Sequence, residues 1–212
     1  MKRTPCLKAA LLCLAFLASE AVPLWAQTKV LRADYVVVRE SPDEQGQPSR
    51  TILLRTRFLS ADGRTRTEDR DASDPNRVVS ITVSNDNQDE QISLDPHNKV
   101  AVRRRAVRFR VGAGISVVGS EKPVQGQKED LGTRTLQGFT CQGYRNTFPA
   151  GQQTEHWFCQ DPASGRKFLG SLLAQLPGGK SWWREDLQKV TQNVEVDPQI
   201  FEVPPDYRIV DQ

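Results

Sequence analysis

Few residues in this sequence are equipped for acid–base or covalent chemistry. Its two histidines stand apart, His97 in an Asp95-Pro96-His97-Asn98 turn and His156 between Glu155 and Trp157. A zinc-protease helix needs HExxH, a hydrolase elbow GxSxG and a thiol exchanger CxxC, and none of these spacings occurs. Gly112-x-Gly114 lacks the GxGxxG spacing and any helical pattern after it, so it does not read as a phosphate loop. Asn85-Asp86-Asn87-Gln88-Asp89-Glu90 has oxygens enough for calcium. It lacks the glycine and closing glutamate of an EF-hand, and reads as a hairpin turn. The expectation is a chain with no catalytic residue, no cofactor and no metal ligand, hence not an enzyme.

The strongest chemical signal is a pair of cysteines. Thr133–Phe148 and Thr154–Gln160 read as strands flanking Pro149-Ala150-Gly151, a short loop with glycine at its end. If 148 pairs with 152, Cys141 falls opposite Cys159, Arg145 opposite Glu155, Gly143 opposite Trp157 and Tyr144 opposite His156. A crosslink, an ion pair and an aromatic ring over a glycine then agree on one register. The expected disulfide closes a loop of about 18 residues, which stabilises by about 3 kcal/mol in the chain-entropy model. It serves as a structural crosslink or, if strained, as a redox switch.

Two other features invite a binding role. The run from Arg103 to Arg110 places Val107 and Phe109 on one strand face and Arg104, Arg108 and Arg110 on the other. That is a solvated strand face or a dock for anionic lipid. Trp182 and Trp183 are neighbours, so on a strand they point to opposite faces. Either both faces are covered there, or one indole sits at a binding surface.

The elements that must position these residues begin after a leader. Residues 1–26 read as a secretory signal: Lys2, Arg3 and Lys8 precede the apolar run Ala9–Ala18, which falls short of the about 20 residues a bilayer span needs. Cleavage is expected after Ala26, with Ala21 as the other candidate. Cys13 follows Leu11-Leu12, the wrong context for a lipid anchor. Three basic residues and one acidic residue leave with the leader, reducing 29 Lys+Arg against 26 Asp+Glu to 26 against 25. A mature charge near +1 provides no field for nucleic acid. Cys141 and Cys159 remain, in a pathway where disulfides form.

The mature chain, 27–212, reads as a single antiparallel β domain, because alternation of period 2 is broken by turns every 8 to 15 positions. Leu31, Ala33, Tyr35 and Val37 share a face; Ile52, Leu54 and Phe58 alternate with Arg55 and Arg57. A hairpin at Asp62-Gly63 returns as Arg64–Arg70, polar throughout and expected at an edge or half solvated. Val79, Ile81 and Val83 follow, then Ile92 with Leu94, Val100 with Val102, Arg166–Leu176 and Ser181–Val196. Residues 112–130 carry five glycine or proline breaks and read as a flexible loop. No three-turn helical stripe occurs, so the fold class is mainly β: a single curved antiparallel sheet, a half-barrel of about nine strands with one apolar face. Hydrophobic residues make up 37% of the chain, which suits a solvated sheet and excludes a polytopic membrane protein.

Several motifs carry a resemblance. Glu129-x-Leu131-Gly132-Thr133-Arg134-Thr135-Leu136-x-Gly138, Gly143-x-Arg145-x-Thr147-x-Pro149-Ala150-Gly151 and the ending Asp197-Pro198-x-x-Phe201-x-Val203-Pro204-x-x-Tyr207 are joined by the early Ala61-Asp62-Gly63-Arg64. From about Leu31 to Tyr207 the chain resembles a family of uncharacterised secreted bacterial proteins related to the periplasmic lipoprotein-carrier superfold, LolA/LolB-like. It departs from that family in a shortened 149–154 loop and in carrying Cys141 and Cys159. In the ending, Asp197 can cap a helical turn begun by Pro198, with Phe201 inward. The resemblance implies a half-barrel whose concave side holds acyl chains in the true carriers, a fold that also serves in periplasmic regulators of stress signalling.

Two functions are therefore expected for a monomer that is periplasmic or secreted and does not span a membrane. One is a binding module for a lipid, a lipoprotein acyl chain or another hydrophobic ligand. The other is an envelope protein-interaction or sensor module with a self-filled core. Ligand contacts are sought at Tyr35, Leu54, Phe58, Ile81, Phe168 and Trp183.

Overall fold

The structure, a computed structural model, describes residues 27–85, 90–105, 126–179 and 181–212. The leader, residues 86–89 of the acidic turn, and residues 106–125 of the basic run and glycine-rich stretch lie outside the described residues. Every described strand enters one open sheet of twelve. In chain order these are β1 (Thr28–Pro42), β2 (Pro48–Ser60), β3 (Arg64–Asp71), β4 (Val78–Asn85), β5 (Glu90–Asp95) and β6 (Val100–Arg105). There follow β7 (Gln127–Leu136), β8 (Phe139–Thr147), β9 (Gln153–Gln160), β10 (Lys167–Gln175), β11 (Trp182–Val196) and β12 (Arg208–Asp211). Across the sheet the order is β12-β6-β5-β4-β3-β2-β1-β11-β10-β9-β8-β7. Among the described residues no helix is long and apolar enough to cross a membrane.

The fold class is as expected, with more strands than nine. The stretch from Thr133 to Phe148 is not one strand: Gln137 (φ 49°) and Gly138 (φ 82°) form a tight turn between β7 and β8. Residues 127–130, read as loop, belong to β7. The polar strand β3 is no edge, since it pairs with β2 and β4, but it is half-buried at every position except Asp69, as the other alternative expected. The tail adds β12 beside β6 in parallel, an exception to the antiparallel pattern that short alternation could not reveal.

The sheet curls toward the face that carries Leu31, Ala33 and Tyr35. In a flat sheet β10 and β2 would lie about 14 Å apart, three strand spacings. Yet Arg166, just before β10, donates to the carbonyls of Ser60 and Arg64 at the β2–β3 turn, and to Thr65 Oγ1 at 2.8 Å. Inside the curl, Leu31, Ala33, Tyr35, Leu59 and Leu187 meet Trp157, Phe168 and the disulfide in one core. Cys141 and Cys159 are bonded and fully buried, in the predicted register.

A single apolar face is not what the structure shows. Val30, next to Leu31, points the other way into a second core with Ile81, Val83, Leu94, Ala101 and Phe201. The convex side of β3–β6 cannot close on itself, so residues of the C-terminal segment cover it. Asp197 caps a 3-10 turn at Pro198–Phe201 by accepting from the Gln199 amide at 2.9 Å, and Phe201 is buried as the ending motif implied. Arg66 donates to the Ile200 carbonyl at 2.8 Å and locks that turn onto β3.

Candidate functional site

Strand β2 settles the inner face. Tyr35 pairs with Arg55 and Ala33 with Arg57, and paired residues share a face. Both arginines therefore point inward, while Leu54 and Phe58 take the convex side. This inverts the expected arrangement, in which the arginines faced water. They are tolerated because each finds a carboxylate. Arg55 grips Asp69 through Nε–Oδ1 (2.6 Å) and Nη2–Oδ2 (2.8 Å) and reaches Glu185 Oε2 at 2.7 Å. Arg57 meets Glu185 Oε1 at 2.8 Å, and its guanidinium lies 4.9 Å from the centre of the Tyr35 ring. Ser80 donates to Asp69 at 3.3 Å. Glu185 is completely buried.

The electrostatics follow from this packing. Burial pushes the Asp69 carboxyl up, but the Arg55 hydrogen bonds and charge, with Arg39 and Ser80, outweigh it and hold it below its ordinary value. Burial drives the Tyr35 phenol up to about 12, with Arg57 opposing and Glu185 adding to the rise. The hydroxyl is thus a donor, and it gives its proton to the Leu169 carbonyl at 2.7 Å. The concave centre is a closed set of paired charges capped by one phenol, in which Glu185 Oε1 is held by the Arg57 charge without a hydrogen bond. Among the described residues no group of three His, Cys, Asp or Glu could hold a metal ion.

The six residues sought as ligand contacts divide between the faces. Tyr35 and Phe168 come together in the concave core. Ile81 and Phe58 come together on the convex side, Ile81 buried and Phe58 packed against the same cluster. Leu54 shares that side, opposite Val36 and Arg70. Trp183 stands opposite Arg39 and Ala174 and keeps 40% of its surface exposed, while Trp182 is half-buried. The sequence reading missed Arg55, Arg57, Asp69 and Glu185. For the first three a signal existed: a hairpin turning at Asp62-Gly63 opposes Leu59 to Thr65, Arg57 to Thr67 and Arg55 to Asp69. Glu185 carried none, since β11 joins β1 from the far end of the chain.

His156 is buried, with Nε2 2.9 Å from Thr154 Oγ1. Burial lowers its pKa to about 4 against the pull of Glu155. Around it the predicted pairs are in place: Arg145 meets Glu155 at 3.2 Å, and the Trp157 ring covers Gly143.

No protein-family model and no curated protein matches the chain. Solved structures are similar to it at low identity. An uncharacterized conserved protein from Thermus thermophilus is 12% identical with a TM-score of 0.48, over 84% of this chain and 90% of that one. A LolA superfamily protein from Nitrosomonas europaea is 9% identical with a TM-score of 0.40, over 82% of this chain and 90% of that one. MucB, solved in complex with MucA(peri), is 12% identical with a TM-score of 0.43, over 86% of this chain and 56% of that one.

Proposed function

We propose that the chain is an exported, non-catalytic interaction module, in which the concave side of the sheet is filled by the protein's own side chains and a protein partner is engaged from outside. The observation that carries this reading is Tyr35. It is 2% exposed, hydrogen-bonded across two strands to Leu169, and covered by Arg57. An acyl chain entering there would have to displace the phenol and strip partners from a buried ion network, which costs several kcal/mol.

Two features support the rest of the reading. A buried disulfide fits an oxidising compartment outside the cytoplasm. On the convex side, Ile52, Val38, Arg184 and Leu173 form one cross-strand row, with Ile52 and Leu173 about two-fifths exposed. Exposed aliphatic side chains around an arginine suit a protein-binding surface, where arginine is enriched while other charges are depleted.

Native mass spectrometry of protein isolated from an envelope fraction, paired with titration by a fluorescent fatty acid, tests it. The expected outcome is no acyl adduct and no saturable uptake, with uptake gained in Tyr35→Ala as the concave core opens. A stoichiometric lipid on the unaltered protein, or saturable uptake by it, refutes the reading in favour of a hydrophobic-ligand carrier.

A further inference from the structure

The sheet face opposite the disulfide carries a feature that the interaction reading does not use. Because Cys141 pairs with Cys159, the neighbouring pairs Gln142–Phe158 and Tyr144–His156 point away from the concave core. There, over β7–β10 and the end of β11, lies an open groove of about 760 Å³. That is within the roughly 300–1,000 Å³ of small-ligand sites.

Its lining has a specific chemistry. Tyr144 and Phe158 supply aromatic surface, while Thr133, Thr140, Gln142, Gln160 and Gln192 supply polar groups. Each glutamine amide is already oriented by its own protein contact. Gln142 Nε2 donates to Asp130 Oδ1 at 2.5 Å, Gln160 Nε2 to the Gly165 carbonyl at 3.2 Å, and Gln192 Nε2 to Asp161 Oδ1 at 2.6 Å. Each contact uses one N–H and fixes the amide plane, so the three amides offer carbonyl oxygens, which accept no hydrogen bond among the described residues, and a second N–H each. The Tyr144 ring is held on one side by Lys128 Nζ at 3.7 Å from its centre, and the Phe158 ring lies near-parallel to His156 at 6.1 Å. Among the described residues no carboxylate lines the groove, and the one cation in its lining is Lys167.

We infer that this groove binds a neutral, hydroxyl-rich glycan chain. A sugar ring matches it on both counts: its C–H face covers an aromatic ring, and its hydroxyls donate to fixed acceptors. A lipid tail would leave three amide carbonyls desolvated without donors. An extended peptide adding a strand would pair with the outer edge of β7, whereas Tyr144, Phe158 and the three glutamines stand on β8, β9 and β11, inside the sheet.

The test is an NMR titration of the ¹⁵N-labelled protein with maltohexaose, cellohexaose and chitohexaose. Saturable shifts are expected at the backbone amides of 139–144 and 158–160 with at least one of the three. Tyr144→Ala should weaken binding about tenfold, the loss of roughly 1.4 kcal/mol of ring contact. Gln160→Leu, at an exposed position, and Gln192→Leu, whose loss of a donor to the buried Asp161 carboxyl is checked by an unchanged amide spectrum, should weaken it severalfold. The inference is overturned if no hexasaccharide gives saturable shifts, or if all three variants bind like the unaltered protein. It is also overturned if those amides respond instead to a short-chain phospholipid micelle or a mixed-sequence decapeptide. Neither Tyr35 nor Arg57 lines the groove, so this result and the fatty-acid result are read at different residues.

Discussion

Replacing Glu185 by glutamine should destabilise this protein more than any exposed charge change. Glu185 has 1% side-chain exposure and holds Arg55 and Arg57, whose side chains are 13% and 19% exposed. In Glu185→Gln, Arg55 keeps both bonds to Asp69, but the one uncharged carbonyl oxygen left at position 185 serves only one of the two arginines. Removing one partner of a buried pair costs about 3–5 kcal/mol, and the residual exposure of the arginines places this case near 3 kcal/mol. For a domain of this size each kcal/mol moves Tm by about 2–4 °C, so a fall of roughly 6–12 °C is expected. Thermal and urea unfolding followed by near-UV circular dichroism measure it. The control is Asp206→Asn, whose partner Lys99 lies 3.3 Å away with both side chains more than half exposed; it should cost under about 1 kcal/mol. A double-mutant cycle with Arg57→Leu should show coupling above about 1 kcal/mol. A Glu185→Gln melting temperature within about 2 °C of the parent, together with zero coupling, would refute the account of the concave centre as a closed ion network.

Two further outcomes follow from the β8–β9 hairpin. His156 titrates in the folded chain near pH 4, below its unfolded value of about 6.5. The folded state therefore binds fewer protons between those values, so His156 contributes stability that is complete above pH 6.5 and is lost as pH falls toward 4. His156→Phe should flatten that limb of a stability-versus-pH curve measured by urea unfolding. Gly143→Ala should lower Tm, because an added Cβ would lie 2.6–2.7 Å from three atoms of the Trp157 ring. Overpacking of this kind costs about 1–3 kcal/mol, and a variant as stable as the parent by differential scanning calorimetry would show that the ring moves freely.

The β8–β9 hairpin was legible in the sequence down to its residue pairs, because a short loop sets its own register and neighbouring signals agree. The capped turn at Asp197 was legible for the same reason: a cap, a proline and an inward phenylalanine lie within five positions. The β2–β3 hairpin was only half legible. Its turn was evident, but alternation was read as apolar-in, and Arg55 and Arg57 break that rule. A charge can turn inward when a partner of opposite sign is buried with it, and one of the partners here, Glu185, is 130 positions from Arg55.

The amino-acid sequence by itself determines that this chain makes a sheet, where its tight turns fall, and that Cys141 meets Cys159. These are local matters, decided by backbone geometry and side-chain period within a few residues. Which face of each strand is buried was decided only in the tertiary structure. Curling brings β10 against the β2–β3 turn and closes one core on the inside, leaving the convex side of β3–β6 to the C-terminal segment. Val30 and Leu31 thus serve different cores, a division that depends on β11 docking beside β1 rather than on any pattern in β1 alone.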